Sequence, residues 1–224
     1  MKSALTNDRN IGWLNMRHST SKKIFTYWNN LRGSRMAPDR CEIEPSDIRD
    51  ILGDTFILEI DMQYRSISFR LAGTRLCNAH GRELKGVGFM VLWDEVDNQK
   101  VLETVRQVYE TSSPQVMSYI AESEGKKFVE FEMLLLPLEN SGSKTIRVLG
   151  TATPMESEAW IGADPLVNNR FKSKRNIDLT QNVEAPSIET EVPVHLTNSD
   201  MSSSDGSSPR KVAHLTVFNG GITD

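Results

Sequence analysis

Phe69-Arg70-Leu71-Ala72-Gly73-Thr74-Arg75-Leu76-Cys77, followed after Asn78-Ala79-His80 by Gly81-Arg82-Glu83-Leu84-Lys85-Gly86, is the stretch on which the reading of this chain turns. Ile67, Phe69 and Leu71 alternate with Ser66, Ser68 and Arg70, the period of two expected of a strand with one buried face. Gly73 ends that strand. A short helical segment follows, and a second turn bounded by Gly81 and Gly86 closes it.

Upstream, Phe56, Leu58 and Ile60 alternate with Ile57 and Glu59, and Asp61 to Arg65 is short enough to join the two strands as a hairpin. Pro45-Ser46-Asp47 opens a short helix carrying Ile48, Ile51 and Leu52, which Gly53 ends. Farther back, Ser19-Thr20-Ser21 supplies capping hydroxyls. Ile24, Tyr27, Trp28 and Leu31 follow at helical spacing, and Gly33 is the stop signal. This amphipathic helix either packs on its own domain or presents its apolar face to a second protein.

Downstream, residues 74–95 read as short helices broken by glycines. Val101, Leu102, Val105, Val108 and Tyr109 form one stripe of a long helix over 96–111, stopped by Pro114. Three strands are expected at 115–122, 127–138 and 144–154, with Glu139 to Ser143 as the turn between the last two. In the middle strand Val129, Phe131, Met133 and Leu135 share one face. Glu130 and Glu132 lie on the other, read as a solvated face with no acid–base role. From Leu134 onward both faces are apolar, so that end of the sheet needs a second cover, either the N-terminal helix or a partner.

Bulk composition divides the chain. Residues 1–155 carry 20 basic and 20 acidic side chains, and residues 156–224 carry 6 and 10. No basic patch marks a nucleic-acid binder. Cys41 and Cys77 stand far apart, with no zinc spacing and no disulfide framework. No apolar run is long enough for a membrane span and the N-terminus lacks a signal-peptide core, so the expected compartment is the cytoplasm. Four regions are expected: a flexible 1–18, a folded domain over 19–155 that includes the N-terminal helix, a disordered polar tail over 156–213, and a strand-like apolar segment at 214–221 that docks somewhere or frays.

The chain resembles the short bacterial PAS-domain proteins of the PAS_5 type. The resemblance rests on Tyr27-Trp28 in the first helix, Arg70-Leu71-Ala72-Gly73-Thr74, Gly81-Arg82-Glu83-Leu84-Lys85-Gly86, Glu132 with Leu135-Leu136-Pro137-Leu138, and Arg147 and Gly150 in the last strand. It covers about residues 24–155. It implies an α+β fold, a five-stranded antiparallel sheet flanked by helices, often dimeric and acting in signalling. It does not imply a ligand.

Within that frame Phe69, Leu71, Cys77, His80, Leu84, Phe89, Trp93, Val105, Tyr109, Tyr119, Phe131, Met133 and Val148 are expected around the central cavity, together with Leu92. As a set they are core residues first. His80 offers an imidazole for haem, but haem-binding PAS domains usually supply it from the long helix, which here has no histidine; a hydrogen-bonded structural histidine is the preferred reading. Cys77 lies near where light-sensing PAS domains place a flavin-adduct cysteine. Phe131 and Met133 stand where the amides that hold a flavin would be wanted, so a small buried cysteine is preferred. No cofactor is therefore expected. Arg70, Arg75, Glu83 and Glu132 are candidates for structural ion pairs. Ile24, Tyr27, Trp28 and Leu31 are the interface candidates, with Trp28→Glu expected to lower the oligomer mass if the helix dimerises.

No nucleophile–base pair, phosphate loop or carboxylate pair stands out. The expectation is a regulatory PAS protein, not an enzyme, without an output domain of its own. It would be a homodimer, working through a signalling partner. The alternative is a sensor whose cavity takes a metabolite, a lipid or haem.

Overall fold

The computed structural model describes residues 15–139 and 145–179. The chain divides into Met1–Pro186 and Ser187–Asp224, and every described residue belongs to the first unit. Residues 1–14, most of the 139–143 turn, the polar stretch from 180 onward and the strand expected at 214–221 lie outside the described residues.

One antiparallel sheet carries the fold, in the order β2-β1-β5-β4-β3-β6. Its strands are β1 Thr55–Asp61, β2 Ser66–Ala72, β3 Gln115–Ser123, β4 Phe128–Leu138, β5 Ile146–Pro154 and β6 Leu166–Asn176. The helices are α1 Ser19–Arg32, α2 Thr74–Ala79 and α3 Asn98–Glu110, with single 3-10 turns in the connections on either side of the β1–β2 hairpin and α2. The period of two in β1 does what it requires. Phe56, Leu58 and Ile60 enter the core that α2 and α3 cover, and Ile57 enters the core on the opposite face.

Three expectations need correction. The sheet has a sixth strand, and order runs through residues 156–179, which were expected to be disordered. β6 pairs along β3 from Leu166↔Ser123 to Asn176↔Gln115. Paired on one side only among the described residues, it needs few inward apolar groups, and Leu166 and Phe171 supply them. Order also starts before residue 19. Met16 is buried, and the cap of α1 is not a hydroxyl of Ser19–Ser21 but the His18 ring, whose Nδ1 accepts from Thr20 N at 3.1 Å. In α3, Leu102 is exposed at 48% and Thr104 takes the inward position, its hydroxyl donating to Lys100 O at 2.7 Å.

The interface reading of α1 fails at its two central residues. Ile24 and Trp28 are fully buried on the sheet of their own chain, against a cluster that includes Val116, Leu134, Leu136 and Leu149. Trp28 Nε1 donates to Pro137 O at 2.8 Å. Tyr27 and Leu31 are half-buried beside them. The apolar second face of β4 thus has its cover, the N-terminal helix.

Candidate functional site

The inner face of the sheet is lined by large side chains in sequence. Phe69 meets Phe56 and Phe89 edge-on, each with centroids 5.6 Å apart. Phe89 meets Trp93 at 5.7 Å, Trp93 meets Tyr119 at 5.0 Å, and Tyr119 stacks on Phe131 at 5.3 Å. Ring contacts at these distances fill space and add to area burial. Leu84, Leu92, Val105, Met133 and Val148 are buried in the same cluster, and Tyr109 packs on it half-buried. Leu71 is not part of it: 47% exposed, it stands on the sheet's edge strand. Most of the residues expected to surround a cavity are therefore core.

A groove of about 930 Å³ lies to one side. Its first wall is α2 with the turn that follows, where Thr74, Asn78, Arg82 and Glu83 face it. Its second wall is the connection from β5 to β6, with Ser157, Glu158, Ile161 and Gly162. Phe131 and Ala152 form part of the floor. Two glycines of the opening motif shape the first wall. A Cβ on Gly73 would run into the Leu52 carbonyl, and Gly81 sits at φ +61° against the Pro165 ring.

His80 and Cys77 have separate fates. His80 is 5% exposed, and its Nδ1 is 3.1 Å from Leu166 O, to which the neutral ring donates. Burial pushes its pKa down to about 4, so it is neutral near pH 7. It fastens α2 to the start of β6. Cys77 is half-buried and lines the groove, its Sγ 3.8 Å from Ala72 O and 3.6 Å from Glu83 Oε1. Burial, then the adjacent carboxylate, raise its thiol pKa, which makes it a poor thiolate.

Of the four ion-pair candidates, Arg75 pairs with Asp54 through two bonds of 2.7 and 2.6 Å. Arg70 is exposed and has no ion pair among the described residues. Glu83 accepts from Lys85 N at 2.9 Å. Glu132 is fully buried, not solvated, because α1 and the residues leading into it cover that face. It accepts from Arg17 N at 2.7 Å and His18 N at 2.9 Å, with Arg175 at 3.8 Å. Two motif fragments far apart in sequence, Tyr27-Trp28 and Glu132 to Leu138, prove to be one docking joint.

Sequence reasoning missed Asp54 and the whole 155–165 wall. Asp54 sits in a turn with no periodicity to flag it. The wall could have been found only through Leu166–Asn176, a run free of glycine, proline and acidic residues that follows Pro165.

Residues 16–153, more than half of the chain, match the PAS_5 family, a PAS domain. The chain belongs to that family. The α+β PAS fold and a role in sensing or signalling come with membership. Two solved structures are similar to part of it. One is a light-oxygen-voltage domain studied with a flavin analogue, at 15% identity and TM-score 0.38, covering 53% of this chain and 90% of that one. The other is the PAS domain of a protein from Colwellia psychrerythraea, at 13% identity and TM-score 0.37, covering 50% and 98%. No curated protein matches the chain. The β5–β6 wall and β6 lie beyond the matched PAS residues. Among the described residues no helix is long and apolar enough to cross a membrane.

Proposed function

We propose that this PAS protein is a non-enzymatic regulator that acts through contacts with other proteins, as a homodimer and with a signalling partner. The observation that supports this reading is the filled inner face: where a ligand would sit against the sheet, rings from Phe56 to Phe131 contact one another in series. Signal then has to pass over the surface. The part of the outer sheet face that α1 leaves open is the surface to test. It carries exposed Phe128 beneath the Arg170 guanidinium, flanked by the pairs Arg17–Glu130, Lys172–Glu130 and Arg170–Glu122. An aromatic residue ringed by charges is the composition of an interface with a small apolar centre. Both cysteines are free, which fits a reducing compartment, and we place the protein in the cytoplasm.

Light scattering on the full chain tests the dimer. A dimer mass that falls to the monomer value in Phe128→Glu supports this face as the contact. A monomeric wild type removes the dimer, and a dimer untouched by Phe128→Glu removes the face.

The groove of about 930 Å³ favours a second reading, a small-molecule sensor. Native mass spectrometry of freshly purified protein distinguishes the two. An adduct lost on denaturation, with a melting temperature lowered by its removal, favours the sensor.

A further inference from the structure

The groove's second wall belongs to this chain's own extension beyond the matched family residues, and it is firmly held. Asp164 accepts from Gly125 N and Ser123 Oγ, each at 2.9 Å, Glu124 N donates to Pro165 O at 2.8 Å, and His80 bonds Leu166 O. A wall fixed at its far end by four hydrogen bonds defines a lasting groove. Its volume lies near the upper end for ligand sites, far more than one amino acid fills.

The charges inside it are unequally engaged. Arg75 is committed to Asp54, and Glu83 to Lys85 N and Cys77. Arg82 and Glu158 have no ion pair and no side-chain hydrogen bond among the described residues, and they stand on opposite walls. Asn78 and Ser157 likewise have free side-chain polar groups, one on each wall. Ile161 and Pro154 add partly exposed apolar surface, with buried Phe131 beneath.

We infer that the groove binds a short zwitterionic peptide carrying an apolar side chain. Its carboxylate pairs with Arg82, its ammonium with Glu158, and its apolar group lies on Ile161 and Pro154. A polyanion is disfavoured, because the carboxylates of Asp54, Glu83 and Glu158 outnumber the guanidinium groups of Arg75 and Arg82. A wholly apolar ligand would take both unengaged charges out of water and offer them nothing in return. A zwitterion satisfies both, and a carboxylate on Arg82 can be bidentate. The inference rests on the sensor reading of the groove and names its ligand class.

The test is titration of the isotope-labelled full chain with the tripeptide Ala-Phe-Ala, followed by NMR. Forms blocked at either terminus, and the variants Arg82→Ala and Glu158→Gln, complete the set. Both side chains are free in the fold, so neither variant leaves a partner orphaned. The expected result is saturable shifts at Asn78, Arg82 and Gly162. Arg82→Ala or amidation of the peptide's carboxylate should weaken binding about tenfold or more, and Glu158→Gln or N-acetylation should weaken it to a smaller degree. Saturable groove shifts indifferent to all four changes overturn the zwitterion assignment and leave the sensor reading standing. Absence of any saturable shift overturns the inference; the sensor reading falls as well only if no small molecule copurifies with the protein.

Discussion

The two faces of this sheet are built on different principles. The inner face is filled mainly by rings and aliphatic side chains, with orphaned polar atoms on Trp93 and Gln115 among them. The outer face under α1 mixes an apolar joint, Trp28 against Leu134 and Leu136, with polar groups taken out of water. Glu132 is buried there and holds the entry to α1 through two backbone N–H groups. Ser21, Thr151 and Thr153 have buried hydroxyls without a partner among the described residues. Both faces carry such costs, but on the outer face they gather where a single helix meets the sheet, which makes the joint of α1 the softer part of the fold.

The largest expected effect breaks the inner face. Phe89→Ala removes a fully buried ring that touches Phe56, Phe69 and Trp93, and should cost about 4 kcal/mol in urea unfolding. A cost below about 1 kcal/mol would mean that those rings are not tightly packed.

Acid tests the seam between α2 and β6. His80 is neutral in the fold, with its pKa lowered to about 4, and the unfolded chain takes up the proton more readily. Stability is therefore full above about pH 6.5, falls as pH drops below that, and the loss levels off near pH 4 at roughly 3 kcal/mol. The measurement is the urea midpoint against pH, as the difference between wild type and His80→Gln, whose amide can still donate to Leu166 O. Equal pH slopes in the two proteins over that window would remove His80 as the cause.

Glu132→Gln turns to the outer face. One of its two accepting oxygens becomes an NH2, so one backbone N–H of Arg17 or His18 loses its partner. The expected cost is about 2 kcal/mol, with faster amide exchange confined to α1 and its entry. Exchange that speeds up over the whole sheet instead would mean that the helix and the sheet open together.

Thr153→Val is the smallest and has the opposite sign. Replacing an orphaned hydroxyl by a methyl of similar shape should leave stability unchanged or raise it by up to about 1 kcal/mol. A clear loss would indicate that Thr153 has a partner such as an internal water, and the contrast between the faces would narrow.

The legible parts of this fold were those with strong alternation. β1, β4 and β2 as far as Phe69 declare their buried faces by apolar residues two apart, and the apolar second face of β4 beyond Leu134 correctly called for a cover. That Trp28 is consumed by this cover was not legible, since an amphipathic stripe looks the same whether it meets its own sheet or another protein. β6 was illegible for another reason. An edge strand buries so little that Leu166-Val167-Asn168-Asn169-Arg170-Phe171-Lys172 keeps a polar composition, and composition was the ground for reading disorder. The groove shared that fate, because half of its wall lies in the same stretch. His80 was legible as a structural histidine, but not its partner, a carbonyl on a strand not foreseen.

Among the described residues β6 ends the sheet on one side. A row of unpaired backbone groups along β3 would be a template on which further chains could stack into ribbons. Here the rim is a strand bearing Arg170, Lys172, Lys174 and Arg175 and no acidic residue. Three of these bases are held by Glu122, Glu130 and Glu132 of the neighbouring strands, so a further strand laid against β6 would meet long charged side chains and not an apolar edge. The extension that completes the groove thus also covers the edge that β3 would otherwise present.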